Sequence, residues 1–225
     1  MRNDAPEADL FRHAVVASLP SGDTAELIMD AALEQAEDFG LRRFTMEDVA
    51  RRTRLSRVTV HRHFPKRSQL LETVMLRELG RFLTKVDEAI EQAGTPEARL
   101  TEGMVFCLTY LRGHRLLNRL IRTEPDLILP YLTTDADRII DTARAWIAGH
   151  IRAEIAAGTI TLPRKDAEYI AELLTRLVIS LVITPNTALP LDSPEARKRF
   201  SQHYLAPMVR LIQPRPVTVR PLRSR

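Results

Sequence analysis

An all-helical fold is the expectation from this sequence, and three observations carry it. Only 8 of the 225 residues are glycine and 5% are aromatic, while Ala, Leu, Glu and Arg, all strong helix formers, abound. Apolar residues recur at three- and four-residue spacing through most of the chain. No stretch shows the strict alternation of a half-buried strand. The length allows a small N-terminal domain and a larger C-terminal one.

Residues 1 to 22 hold Pro6, Pro20 and Gly22 around a weakly amphipathic piece and read as a flexible arm. A first helix should run from about Thr24 to Phe39 and stop at Gly40, burying Leu27, Ile28, Ala31, Ala32, Gln35 and Phe39 as one stripe. Thr45, with Asp48 three residues on, predicts a capped start near Met46 for a short second helix, with Val49 and the small Ala50 inward. A tight turn at Arg54 and Leu55 leads to a second cap, Ser56. A third short helix, Arg57 to about His63, must end before Pro65, because proline disfavours helix in the residue ahead of it. Val60 and Phe64 share its inward face. Two short helices joined by so tight a turn form a helix-turn-helix, whose second helix enters the DNA major groove. The outward residues suit that role: Arg57 and Arg62 can pair with guanine, Thr59 can hydrogen-bond, and Val58 can meet a thymine methyl.

This stretch resembles the TetR-type transcriptional regulators, through Phe44-Thr45-Met46-Glu47-Asp48-Val49-Ala50, Leu55-Ser56, Thr59-Val60 and His63-Phe64-Pro65-Lys66-Arg67-Ser68-Gln69-Leu70-Leu71. The likeness spans roughly residues 24 to 75. It departs from the family pattern at Arg54, where glycine is usual, at His61, where a phosphate-touching tyrosine is common, and at Arg67, which stands for a lysine. The resemblance implies that Thr45, Lys66, Arg67 and His61 flank the base-reading residues. Thr45, His61 and Arg67 would then touch phosphates.

Charge supports a nucleic-acid partner. Between Leu41 and Arg67 nine basic side chains stand against two acidic ones, and Arg215, Arg220, Arg223 and Arg225 follow Ile212. The whole chain carries only +4, so the rest of it is acidic. A cationic module on an acidic body is the footprint of a DNA binder.

Domain divisions are expected after residues 22, 67 and 212, with a basic, disordered tail from 213 to 225. A fourth helix, N-capped by Ser68, should reach about Ala93 and link the two domains. Further helices are expected from Pro96 to near Gly113, from Arg115 to Arg122, from Asp126 to Leu132, from Ala136 to Ala157, from Arg164 to Ile183 and from Glu195 to Ile212. The last two are apolar on more than one side and must be buried on more than one side, either wholly within their own chain or partly against something beyond it. A second copy is the simplest occupant, through Leu174, Leu177, Val178, Leu181, Tyr204, Leu205, Met208 and Val209. TetR-type regulators dimerise through such helices.

No nucleophile elbow, phosphate-binding loop or dinucleotide fingerprint stands out, so neither an enzyme nor a cofactor is expected. His61 and His63 diverge by about 200° on a helix and make poor joint metal ligands. The lone Cys107 precludes an internal disulfide, the longest apolar runs are too short for a bilayer, and no leader segment is evident, so a cytoplasmic location and no membrane partner are expected. Met104, Cys107, Tyr110, Leu111, Asn118, Trp146 and His150 offer an apolar lining with a few polar handles. The resemblance implies a small-molecule effector among these helices, and the scarcity of charge points to an apolar or aromatic one. The resulting expectation is a homodimeric repressor, bound to palindromic double-stranded DNA and released by a small molecule. Two alternatives stay open: a DNA-binding dimer without an effector, and a helical-bundle enzyme with an incidental basic patch.

Overall fold

The computed structural model describes residues 20–207. The N-terminal arm up to residue 19, Met208, Val209, the remainder of the last helix to Ile212 and the basic tail lie outside the described residues. Among the described residues there are ten α-helices and no strand. They are α1 (Asp23–Phe39), α2 (Met46–Thr53), α3 (Arg57–His63), α4 (Arg67–Ile90), α5 (Pro96–Gly113), α6 (Arg115–Thr123), α7 (Pro125–Leu132), α8 (Asp137–Ala156), α9 (Arg164–Ile183) and α10 (Pro194–Phe200), the last running into a π-helical turn, Ser201–Leu205. No helix among them is long and apolar enough to cross a membrane.

The N-terminal core gathers α1, α2, α3 and the start of α4. Val49, Val60, Phe64 and Leu70 are fully enclosed there with Ile28 and Met29 of α1. On α1 the buried stripe is Ala25, Ile28, Met29, Ala31, Ala32, Gln35 and Ala36, whereas Leu27 and Phe39 are 46% and 50% exposed. Ile28, Ala31, Ala32 and Gln35 of the expected stripe are buried, and Met29, Ala25 and Ala36 take the places of Leu27 and Phe39. Alanines share this face with Ile28 and Met29, and their small size lets α2 and α4 approach closely.

This core does not end at Arg67. Leu70, Leu71 and Val74 of α4 belong to it, and so do Leu120 of α6 and Ile128 of α7. Arg77 of α4 is buried and ion-pairs with Glu26 at 3.0 Å and Asp30 at 2.9 Å, both on α1. The first turns of α4 are thus fixed to the N-terminal unit before the helix continues into the second domain.

Three helix starts differ from expectation. The N-cap of α4 is Lys66, with Ser68 already inside the first turn, because Pro65 ends α3 close by. Pro125 opens α7 instead of preceding it, at a first-turn position where its missing N–H leaves no bond unmade. Pro194 does the same for α10, with Ser193 as its cap.

The C-terminal domain packs α8 antiparallel to α9. Arg144 reaches Glu172 at 3.2 Å, and Arg152 pairs with Glu168. Pairing with Arg176 and Arg144 holds the Glu172 carboxyl below the usual range. Helix α5 lies between these helices and α4, and α10 closes its other side.

Candidate functional site

The helix-turn-helix is built from its caps. The Thr45 hydroxyl accepts the Asp48 N–H at 3.1 Å and donates to the Asp48 carboxylate at 2.6 Å. The Ser56 hydroxyl accepts the Thr59 N–H at 3.0 Å. Between them Arg54 holds the left-handed conformation, φ 59°, and the Leu55 and Arg54 amides return to the carbonyls of Ala50 and Arg51. That is a Schellman ending. The turn keeps the shape a glycine would give it, at the cost of placing a Cβ there. Replacing Arg54→Gly should therefore stabilise the domain, by up to about 1 kcal/mol, after allowing for the extra freedom glycine has when unfolded. Urea midpoints of Arg54→Gly and Arg54→Ala, compared with wild type, check this; only glycine should gain.

With Val60 and Phe64 buried, α3 turns Arg57, Val58, His61 and Arg62 outward, and Val58 is 77% exposed. Arg57 lies 3.3 Å from Glu47 in an exposed pair that solvent weakens. Thr59 is half-buried, and its hydroxyl sits 2.9 Å from that of Ser56, so it serves the cap as well as the helix surface. Lys66 is exposed at the start of α4.

Arg67, expected at a phosphate, has a second set of partners within the protein. Its guanidinium donates to the carbonyls of Phe44 at 3.2 Å and Leu41 at 2.5 Å and lies over the Phe44 ring. It ties the loop before α2 to α4. Arg52 is similarly spent on Glu34 and Asp38 of α1, whose hydrogen bonds raise its already high pKa, Asp38 contributing most. The exposed basic residues from the turn to the start of α4 are Arg54, Arg57, Arg62 and Lys66, and Arg51 before the turn is exposed as well, paired with Asp48. Arg54, in the turn that leads into α3, joins the expected set.

A cavity of about 170 Å³ opens between α4, α5, α8 and α9. Of the expected lining, Met104, Cys107, Trp146 and His150 are present. Tyr110 and Leu111 pack instead beside Phe82, with the Tyr110 ring 5.2 Å from that of Phe82 and 5.7 Å from that of Phe106. Asn118 does not line this cavity either. Its amide donates to the carbonyls of Leu111, Arg112 and His114, stitching the α5–α6 junction. His114 caps α6 by accepting the Leu117 N–H on Nδ1. Burial in the cavity wall pushes the Cys107 thiol up to about 12, which leaves it a poor nucleophile at neutral pH. Among the described residues no three His, Cys, Asp or Glu side chains gather in a metal-sized group.

The cavity also recruits residues expected at a dimer surface. Leu174 and Val178 line it, while Leu181 and Leu205 are buried in the protomer's own core with Met104, Leu108 and Phe200. Leu177 packs on that core too. On α9 Leu174, Leu177 and Val178 are partly buried against the protomer's own helices. The outward apolar side chains are Tyr169 and Leu173 on α9 and Tyr204 beyond α10, each more than half exposed.

Comparison with known proteins agrees with this architecture. Residues 28–74 match the family model described as bacterial regulatory proteins, tetR family, and residues 96–197 match one described as bacterial tetracyclin repressor, C-terminal domain. The transcriptional regulator BetI of Rhizobium meliloti is 26% identical over 79% of this chain and 85% of its own. The transcriptional repressor KstR of Mycobacterium tuberculosis is 27% identical over 79% of this chain and 80% of its own. The crystal structure of the TetR family repressor AlkX from Dietzia superposes with a TM-score of 0.63 at 22% identity, covering 84% of this chain and 96% of that one. Two family models in sequence order, the helix-turn-helix core and the all-helical C-terminal domain lead to one conclusion: the chain belongs to the TetR family of DNA-binding transcriptional regulators.

Proposed function

We propose that the protein is a homodimeric repressor that grips a palindromic operator through α3 of each subunit and lets go when a small molecule enters the α4–α5–α8–α9 cavity. The observation that carries this reading is the outward face of α3, with Arg57, Val58, His61 and Arg62 presented by a helix whose other side is locked by Val60 and Phe64. Arg57 and Arg62 read bases, and Lys66 and Arg54 meet phosphates. Two copies are needed because a single seven-residue helix reads only one half-site. Tyr169, Leu173 and Tyr204 form the dimer face in this reading, since the deeper residues of α9 are already committed within the protomer.

The cavity favours an effector over the alternative of a DNA-binding dimer without one, which a fully packed interior would have suited. Its coupling to the operator can be no larger than the effector's differential affinity for the two dimer geometries.

The test is a selection of bound sequences from random duplexes, followed by titration of the selected site. Arg57→Ala should weaken it by about 1–3 kcal/mol, roughly 5- to 150-fold, and relax sequence choice at one position per half-site. Lys66→Ala should weaken all duplexes alike and flatten the salt dependence by about one ion. Equal affinity of Arg57→Ala and wild type at matched salt would remove α3 from the reading role.

A further inference from the structure

The wall of the cavity says what kind of molecule it takes. Apart from Arg99, Glu154 and His150 its side chains are apolar or weakly polar, chiefly Ile, Leu, Val and Met with Trp146 and Cys107. The three polar residues already have partners. Arg99 of α5 and Glu154 of α8 are in direct ionic contact. The Arg99 Nε also donates to the Ala93 carbonyl at 3.1 Å, and the Glu154 carboxylate also accepts the Thr159 hydroxyl. One turn along α8, His150 Nε2 lies 2.8 Å from an Asp87 carboxylate oxygen, and the Trp146 indole N–H is directed to the other oxygen at 3.4 Å. Some buried side-chain polar atoms lack a partner among the described residues, but none of them belongs to this wall.

We infer that the cavity selects an uncharged, apolar molecule, an alkyl- or aryl-hydrocarbon skeleton, and excludes the carboxylate built on the same skeleton, because its arginine is already paired with Glu154 and its histidine with Asp87. This rests on the cavity being the effector site. A ligand carboxylate would have to evict Glu154 from Arg99 or lie beside it, and either course leaves a negative charge buried without a partner. An uncharged ligand disturbs neither. Its size is bounded as well, since about 170 Å³ is close to the ~150 Å³ of an engineered apolar cavity that holds benzene. Cys107 adds a weakly polar, un-ionised surface to the same wall.

The experiment compares n-butylbenzene with 4-phenylbutyrate, and toluene with benzoate, by calorimetry on the full-length protein, and follows release of a selected operator by anisotropy. The hydrocarbon of each pair should bind at least ~100-fold more tightly than its carboxylate, the discrimination that an unpaired buried charge imposes. Val178→Phe, which fills the cavity from α9, should abolish hydrocarbon binding. Glu154→Gln leaves the Arg99 charge uncompensated and should narrow or reverse the preference within each pair. Wild-type protein that binds the carboxylates as tightly as the hydrocarbons, or binds neither, overturns the inference, and so does hydrocarbon binding that survives Val178→Phe. The two readings fail separately. A hydrocarbon that binds without releasing the operator sinks the effector role and leaves the selectivity standing. A carboxylate that binds more tightly and releases the operator sinks the selectivity and leaves the effector role.

Discussion

Phe64→Ala is expected to cost about 3–5 kcal/mol, the usual range for emptying a fully buried phenylalanine site, and operator binding with it. Phe64 has no exposed surface and belongs to the core that joins α1, α2, α3 and α4. Its backbone N–H also closes the last turn of α3, on the Val60 carbonyl at 2.9 Å. Removing the ring leaves a void beneath a helix of only seven residues, far too short to hold itself together without tertiary contacts. A loss of that size is a large share of the ~5–15 kcal/mol that stabilises an ordinary domain. The measurement is a pair of curves, urea unfolding and operator titration, on the same preparation. Full operator affinity with an unchanged unfolding midpoint would show that the ring does not support α3.

The contrast with Arg57→Ala is informative. Arg57 is 71% exposed at its side chain, and its only ion pair given by the structure is the exposed one with Glu47, so its loss should leave the unfolding midpoint nearly unmoved while binding falls. One substitution removes the support and the other the contact.

Particular residues show where the sequence was readable and where it was not. Thr45 and Ser56 were legible as caps because a hydroxyl three residues ahead of its N–H target is local information, and both make the expected bonds. Val60 and Phe64 were legible for the same reason, their spacing on one helix face. Arg67 was not. Nothing local marks an arginine at a helix start as turning back to carbonyls 23 and 26 residues earlier, as Arg67 does. Asn118 resembled a polar handle among apolar neighbours, but its role depends on the tight α5–α6 junction that it secures. Leu174 and Val178 were correctly seen as an apolar stripe, yet periodicity cannot say what a stripe faces. In the structure they line the cavity and are partly buried. What remained hidden was long-range pairing, above all Arg99 with Glu154 and Arg42 with Asp126.

That last pair belongs to a joint at which Gly40→Ala should cost about 2–4 kcal/mol. Gly40 has φ 80° and ψ 178°, a region essentially reserved for glycine, where any other residue is strained by roughly 1–3 kcal/mol. A Cβ there would stand 2.1 Å from a carboxylate oxygen of Glu124. Glu124 cannot withdraw freely, because its other oxygen accepts the Arg42 N–H at 2.8 Å while the Arg42 guanidinium grips Asp126 at 2.9 and 3.0 Å. Beside them Arg119 of α6 donates to the carbonyl of Ala36, which also accepts the Gly40 N–H at 3.0 Å, and to that of Glu37, which the end of α1 would otherwise leave without an intrahelical partner. The reading domain is thus fastened to α6 and α7, which continue directly from the cavity-lining α5. A double-mutant cycle separates the two costs. Glu124→Ala relieves the collision but not the backbone strain, so Gly40→Ala should cost less in that background than in wild type, by an interaction energy of about 1–2 kcal/mol. Additive losses would mean that the carboxylate yields readily, and a Gly40→Ala protein as stable as wild type would mean that the joint is not held closed at this glycine.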